Sequence, residues 1–78
     1  MPPQIREKFI DIFKRHFHIM PGQLRNRKYL DDLGLTKIEQ LEMLNYVEEE
    51  FKIKLSETDE KKIKTVGDTL SVLQKHIH

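Results

Sequence analysis

The sequence predicts an all-α fold, a small four-helix bundle with three longer helices, one short third helix and a long first loop. Apolar residues recur at spacings of three and four, which is the period of a helix that rests one face on a core. Helix-start signals precede the later segments, and no stretch alternates long enough to predict a strand. Because 78 residues leave room for one small core, we expect a single domain over residues 1–78.

The first predicted helix runs from Gln4 to Phe17. Its apolar residues occupy positions i, i+4, i+7, i+8 and i+12, which lie on one side of a helix. They are Ile5, Phe9, Ile12, Phe13 and Phe17. Pro21 and Gly22 then end the helix, because a proline disfavours helical geometry in the residue before it and a glycine favours a turn.

A long loop is predicted over residues 18–35, where no period is sustained. Loops of more than about 12–15 residues in a compact domain are usually functional or disordered. Four apolar residues favour an ordered loop that is held on the core, namely Leu24, Tyr29, Leu30 and Leu33.

The second predicted helix begins with "TKIE", a capping box. In such a box the Thr36 hydroxyl accepts from the Glu39 backbone N–H, and the Glu39 carboxylate accepts from the Thr36 N–H. The predicted inward stripe, widened by Met43 and Tyr46, consists of Ile38, Leu41, Leu44, Val47 and Phe51. The outer flank is acidic and carries Glu39, Glu42, Glu48, Glu49 and Glu50.

The remaining chain predicts a connector, a short helix and a final helix. "KIKL" is typical of an extended connector with Ile53 and Leu55 turned inward, and Ser56 or Thr58 can cap a short helix through Lys62. "TVGD" repeats the capping pattern at Thr65 and Asp68. The inward stripe of the final helix is Val66, Leu70, Leu73 and Ile77.

Charge and composition limit the function classes. Fourteen Lys and Arg nearly balance thirteen Asp and Glu, so no global field recruits nucleic acid or an anionic membrane. The sequence has no cysteine, which excludes disulfides and thiolate nucleophiles and suits a reducing compartment. Apolar runs are too short for a membrane span, and the Met1-Pro2-Pro3 start does not resemble a signal peptide. We therefore expect a cytoplasmic protein.

Three side-chain patterns are candidate sites of chemistry. The histidines form two H-x-H pairs, which are His16 with His18 and His76 with His78. The four imidazoles could hold zinc or nickel if the two pairs met. Because residues at i and i+2 face different sides of a helix, we expect no metal. "RNRK", Arg25 to Lys28, lacks further cations and has only Tyr29 beside it, which predicts a solvated loop. No Ser-His-Asp or Cys-His set is present, so we expect no enzymatic activity.

From Asp32 to Phe51 the chain reads "DLGLTKIEQLEMLNYVEEEF". This stretch resembles the acyl carrier proteins, whose signature is a turn "DLG-x-D-S-L" followed by an acidic helix ending in "EEEF". The resemblance continues through "KIKLSETDEKKIKTVGDTLSVL", where the family has a short third helix and a "T-V-x-D" start to the fourth. It implies the four-helix fold of that family and a non-enzymatic role in fatty-acid, lipid or polyketide-type biosynthesis.

The chain departs from the family at one decisive position. In the family, the serine of "DSL" carries a phosphopantetheine arm through a phosphodiester. Counted from Gly34, that position holds Lys37, which has no hydroxyl. We therefore expect no phosphopantetheine and no other cofactor. Two alternatives stay open: attachment of the arm elsewhere, for example to Thr36, and a helical bundle that binds a ligand or nucleic acid.

The resemblance also implies a docking surface on the second helix. Family members present the start and acidic flank of this helix to synthases, transferases and other partner enzymes. By position, the corresponding residues are Ile38, Glu39, Glu42, Asn45 and Glu48. We expect a monomeric protein-interaction module whose charged contacts set association rate and specificity and weaken with salt.

Overall fold

A computed structural model describes residues 3–77. It contains four α-helices: α1 (Pro3–Phe17), α2 (Lys37–Phe51), α3 (Glu57–Lys62) and α4 (Val66–Ile77). Two short 3₁₀ turns, Pro21–Gln23 and Leu30–Leu33, lie between α1 and α2. Over residues 3–77, β-type pairing is limited to one isolated bridge between Tyr29 and Thr65. The predicted all-α bundle, with its long first loop and short third helix, is confirmed.

One core is enclosed by the three longer helices. The rings of Phe9 and Phe13 are fully buried at its centre, 5.0 Å apart in an edge-to-face arrangement. Such a pair contributes about 0.5–1.5 kcal/mol beyond the burial of its area. The helical side chains of the core are Ile5, Phe9, Ile12, Phe13, Met43, Val47, Val66, Leu70 and Leu73. The predicted stripes of α1 and α4 therefore face the core, except that Ile77, at the end of α4, is 37% exposed.

Capping boxes fix where three of the helices begin. In each pair the hydroxyl oxygen accepts a backbone N–H at 3.0–3.1 Å, and the carboxylate accepts the N–H of the cap residue at 2.8–3.2 Å. The pairs are Thr36 with Glu39, Ser56 with Asp59, and Thr65 with Asp68. The predicted boxes at Thr36 and Thr65 are confirmed, and Ser56, one of the two predicted candidates, caps α3.

The core-facing side of α2 differs from the predicted stripe. Met43 and Val47 are fully buried, whereas Ile38 is 72% and Leu41 is 59% exposed. From Ile38 to Val47 the predicted stripe advances by three residues at each step, and three residues turn about 60° short of a full circle in an α-helix. The stripe therefore winds around α2 from solvent into the core, and assigning Ile38 and Leu41 to the interior was wrong.

The loop between α1 and α2 is fastened to the chain that precedes α4. Leu24, Leu30 and Leu33 are buried as predicted, but Tyr29 is 56% exposed, because its neighbour Leu30 takes the inward position. Three backbone hydrogen bonds of 2.9 Å hold the loop: Leu30 N to Lys64 O, Val66 N to Lys28 O, and Gly67 N to Asn26 O. A Cβ at Gly67 would stand 3.0 Å from the Asn26 carbonyl oxygen, so any other residue there would push the loop backbone away by a few tenths of an ångström.

A side-chain hydrogen bond ties the short α3 to α4. His76 Nε2 lies 2.8 Å from Asp59 Oδ2. This bond, together with the backbone N–H of Ser56, lowers the pKa of Asp59 to about 2. A charged Asp59 therefore serves both the start of α3 and its attachment to α4.

No helix within residues 3–77 is long and apolar enough to cross a membrane.

Candidate functional site

The entry to α2 is built by the 3₁₀ turn Leu30–Leu33 and by Gly34. Leu30 and Leu33 are buried and hold the turn on the core. Gly34 ends the turn with φ 81° and ψ 12°, a left-handed conformation that side chains with a Cβ rarely adopt. This reversal sends Leu35 partly inward and delivers Thr36 and Lys37 to the surface at the first turn of α2.

Thr36 is the N-cap of α2, and its hydroxyl oxygen already has a structural partner. Oγ1 accepts the Glu39 backbone N–H at 3.1 Å, and the Thr36 N–H donates to Glu39 Oε1 at 2.8 Å. Replacing such a cap by alanine typically costs about 1 kcal/mol. The hydroxyl that a cofactor donor would need is therefore engaged in starting the helix.

Lys37 is the first residue of α2, and its side chain reaches back over the preceding turn. Its Nζ lies 3.5 Å from Asp31 Oδ1, with the two side chains 84% and 70% exposed. Gln40 Nε2 donates to the same carboxylate oxygen at 3.0 Å. The pKa of Asp31 is lowered, first by the bond from Gln40 and then by the charge of Lys37.

The position that the resemblance assigns to cofactor attachment does not fit the cofactor. A phosphopantetheine arm needs a hydroxyl oxygen for its phosphodiester, and Lys37 offers an ammonium group. The first turn of a helix also favours an anion over a cation by a few tenths of a kcal/mol. The ammonium group instead finds its counter-charge in Asp31, in the turn that precedes the helix.

The predicted docking residues do not all lie on one side of α2. Ile38, Glu42 and Asn45 are exposed and share one side. Glu39 and Glu48 lie at the two edges of that side. The Glu39 carboxylate accepts the Thr36 N–H at 2.8 Å, and the Glu48 carboxylate accepts the Leu55 N–H at 2.8 Å. We define the α2 outer face as Ile38, Leu41, Glu42, Asn45 and Glu49, all of which are exposed.

Two members of the α2 outer face are not among the docking residues that the sequence predicts. Leu41 was assigned to the core, and Glu49 was predicted only as part of the acidic flank. Both fall on the same arc as Ile38, because 3, 4, 7 and 11 residues after Ile38 are positions on one side of a helix. That periodicity, applied to the exposed residues rather than to the core, would have identified the face.

A small cleft opens beside Lys37, between α2 and α3. Its volume is about 160 Å³, and its wall consists of Leu30, Lys37, Gln40, Leu41, Met43, Leu44, Glu60 and Ile63. Pockets for small ligands usually measure about 300–1,000 Å³. The volume of this cleft therefore does not favour a preformed ligand pocket at the entry to α2.

The histidines take separate structural positions. His16 stacks on Tyr46 with ring centroids 3.8 Å apart, and His76 binds Asp59. His78, the last member of the two predicted pairs, lies outside the described residues. Over residues 3–77, no group of three or more His, Cys, Asp or Glu is placed to hold a metal ion.

Comparison with known proteins gives relatives that align over nearly the full length. The chain is 32% identical over 72 residues to an acyl carrier protein of Bdellovibrio bacteriovorus, which covers 91% of this chain and 92% of that protein. It is 31% identical over 71 residues to an acyl carrier protein of Zymomonas mobilis, covering 90% and 91% of the two chains. No protein-family model matches the sequence.

Proposed function

The chain belongs to the acyl carrier protein family, and from that premise we propose that it is a docking protein of fatty-acid, lipid or polyketide-type biosynthesis that holds no phosphopantetheine arm. The family consists of non-enzymatic carriers. The proposal takes residues 1–78 as a single domain that acts as a monomer. It places the protein in the cytoplasm, which a chain without cysteine suits.

The observation that carries the proposal is the first turn of α2. By the resemblance, Lys37 takes the place of the family's attachment serine, and its ammonium group lies 3.5 Å from a carboxylate oxygen of Asp31. A phosphodiester at this position would replace that cation by an anion beside the Asp31 carboxylate. Lysine has no hydroxyl for such a bond, so the residue itself bars the modification, and the surrounding turn does not.

The alternative of an arm on Thr36 has less support. Its hydroxyl oxygen caps α2 by accepting the Glu39 N–H at 3.1 Å. Attachment would place a bulky diester on the cap atom and weaken an interaction typically worth about 1 kcal/mol. The geometry therefore favours a structural role for Thr36.

The α2 outer face supports docking. Ile38 and Leu41 are 72% and 59% exposed, and aliphatic side chains so accessible on one helix face are suited to fill apolar pockets of a partner. Glu42 and Glu49 are exposed on the same face and Glu39 lies at its edge, so an acidic surround frames the apolar pair. A partner with a basic rim around an apolar recess would match this face, and the charges would speed its approach.

Mass spectrometry after incubation with a phosphopantetheinyl transferase and coenzyme A tests the absence of the arm. We expect no mass increase for the wild-type chain. The Lys37→Ser variant restores the family residue and serves as the matched control, in which an increase of about 340 Da, the mass of the arm, is expected. An increase of that size in the wild type would refute the proposal, and its location by peptide mapping would decide the case of Thr36.

Capture of partner enzymes from native cell extract, followed by quantitative mass spectrometry, tests the docking face. Ile38→Ser together with Leu41→Ser should reduce capture of acyl-processing enzymes about tenfold or more, because hot-spot side chains each contribute over about 1 kcal/mol. Met20→Ser is the control, since Met20 is 58% exposed but lies outside α2. Glu42→Lys should likewise reduce capture, whereas Glu7→Lys on α1 should not. Equal capture by all variants would contradict docking through α2.

A further inference from the structure

A second charged surface lies on α3, α4 and the first loop. Two adjoining shallow clefts, of about 510 and 590 Å³, share Asp68 and Ser71 in their walls and so form one continuous depression. We call this depression the basic trough. Its cationic side chains are Arg27, Lys61, Lys62, Lys64 and Lys75. Tyr29 lies in the half of the trough that the first loop lines.

The trough exists because the loop is fastened to α4. Asn26 and Lys28 accept backbone hydrogen bonds from the first residues of α4, and Leu30 donates to Lys64, each at 2.9 Å. Arg6 of α1 adds a clamp from the other side, with Nη1 3.0 Å from Asn26 Oδ1 and Nη2 3.1 Å from Leu24 O. Arg27 and Tyr29 are therefore held beside lysines that lie more than thirty residues later in the chain.

The charge of the trough is predominantly positive. None of its five cationic side chains forms an ion pair with a carboxylate among residues 3–77. One carboxylate, Asp68, lies in the wall, which leaves an excess of four positive charges. Asp68 Oδ2 accepts the backbone N–H groups of Lys64 and Thr65 at 3.2 and 3.0 Å, so its negative charge is partly compensated locally.

We infer that the basic trough binds single-stranded nucleic acid, with its lysines along the phosphate backbone and Tyr29 stacked on a base. Proteins that bind single strands without strict sequence preference combine a cationic groove with exposed aromatic rings. Gly67 to Lys75 spans about 12 Å of α4 at 1.5 Å per residue, long enough for a few nucleotides. Tyr29 is 56% exposed, and its ring is available for stacking.

The chemistry of the trough favours nucleic acid over a protein or a membrane. The α2 outer face offers aliphatic anchors, whereas the aliphatic residue of the trough wall, Val72, is only 4% exposed, and Tyr29 supplies the exposed ring there. Protein interfaces are depleted of lysine and depend on buried apolar anchors. A flat bilayer would not use a concave surface, while a flexible strand can follow it.

The sequence predicted a solvated basic loop and no nucleic-acid partner, on the ground that "RNRK" lacked further cations on its face. The structure changes that premise for Arg27, because the adjoining cleft carries Lys61, Lys62, Lys64 and Lys75. The missing cations come from another segment, which the folded chain brings alongside the loop.

Fluorescence anisotropy with labelled single-stranded oligonucleotides of about 20 nucleotides tests the inference. We expect the trough to neutralise about four phosphates, so a plot of the logarithm of the binding constant against the logarithm of salt concentration should have a slope of about −3. This slope corresponds to a roughly fiftyfold loss of affinity from 50 to 200 mM salt. Lys61→Glu with Lys64→Glu should weaken binding at least tenfold and flatten the slope. Lys75→Glu should weaken binding separately, and Tyr29→Ala should do so more than Tyr29→Phe.

The control is Lys14→Glu with Lys54→Glu, which changes the net charge equally at exposed lysines outside the trough. Circular dichroism establishes that all variants are folded. Saturable binding that only the trough variants lose supports the inference. It is overturned if no saturation occurs at low salt, if the control variant loses as much affinity, or if polyglutamate or anionic phosphatidylglycerol vesicles compete as well as unlabelled oligonucleotide.

Discussion

Gly34 controls how the chain enters α2, because its φ of 81° turns the 3₁₀ segment toward the helix cap. The Gly34→Ala variant should lose about 1–2 kcal/mol of unfolding free energy, the cost of a left-handed conformation for a residue with a Cβ. Urea unfolding followed by circular dichroism measures the change. Gly22→Ala is the matched control, since a Cβ added at Gly22 would meet no atom within 4 Å and the φ of Gly22 is not positive. A loss no larger than that of the control would contradict this role of Gly34.

Lys37 shows how far a single position could be understood from sequence. The resemblance to the family motif predicts that it takes the place of the serine, and the capping box predicts its position at the start of a helix. Its partner could not be predicted, because the Asp31 carboxylate, which also accepts from Gln40 Nε2, reaches Lys37 only through the 3₁₀ turn that Gly34 ends. Local patterns define where a helix begins, while the neighbours of its first side chain depend on the fold of the preceding loop.

Asp59 contacts both the first turn of the short α3 and the neighbouring helix α4. Asp59 accepts the Ser56 N–H at 3.2 Å and binds His76 of α4 at 2.8 Å. A helix of six residues has little stability of its own, since isolated helices shorter than about 12–15 residues are marginal in water. The carboxylate of Asp59 therefore holds α3 in place on the bundle.

The pH dependence of stability should report this contact. Because the pKa of Asp59 is lowered to about 2 from its ordinary 3.8, its contribution is present above about pH 4 and is lost as the pH falls toward 2. Asp59→Asn keeps a hydrogen-bond acceptor but removes the charge, and should reduce the slope of stability against pH in that window. Urea titrations between about pH 2 and 6 measure the slope. The control is Glu7→Gln, at an exposed carboxylate without a hydrogen-bond partner among residues 3–77, and it should leave the slope unchanged. If Asp59→Asn has the same slope as the wild type, the contact between Asp59 and His76 does not contribute to the pH dependence.

The helices themselves were predictable because their signals are local. Three capping boxes and the stripes of α1 and α4 depend on residues three or four apart. The orientation of α2 was not predictable in this way, because its apolar residues occupy a wide arc and only the packing against α1 selects Met43 and Val47 over Ile38 and Leu41. The basic trough was beyond sequence reasoning for a related reason, since its two halves meet through tertiary hydrogen bonds.

The whole molecule should unfold as one unit, because a single core joins α1, α2 and α4. Phe9 is fully buried at the centre of that core. Phe9→Ala should lose about 3–5 kcal/mol. This is a large part of the total stability of about 4–12 kcal/mol that about 0.05–0.15 kcal/mol per residue gives for a chain of this length. Thermal and urea unfolding, followed by circular dichroism and tyrosine fluorescence, measure the loss.

The same measurements test the proposed single domain. In a two-state transition the two probes change together, for the wild type and for a milder variant such as Phe51→Ala, whose ring is only half-buried. Separate midpoints for helix content and for the surroundings of Tyr29 and Tyr46 would show that the chain contains more than one cooperative unit.

The three capping boxes also bear on the order of events in folding. Each closes a loop of only three residues, and such short closures demand little chain entropy. The beginnings of α2, α3 and α4 can therefore form within their own segments, and proteins dominated by local contacts fold in microseconds to milliseconds. The exception is α1, whose Phe9 and Phe13 must meet α4 across more than fifty residues of chain. Docking of α1 is thus expected to be the step that limits the folding rate.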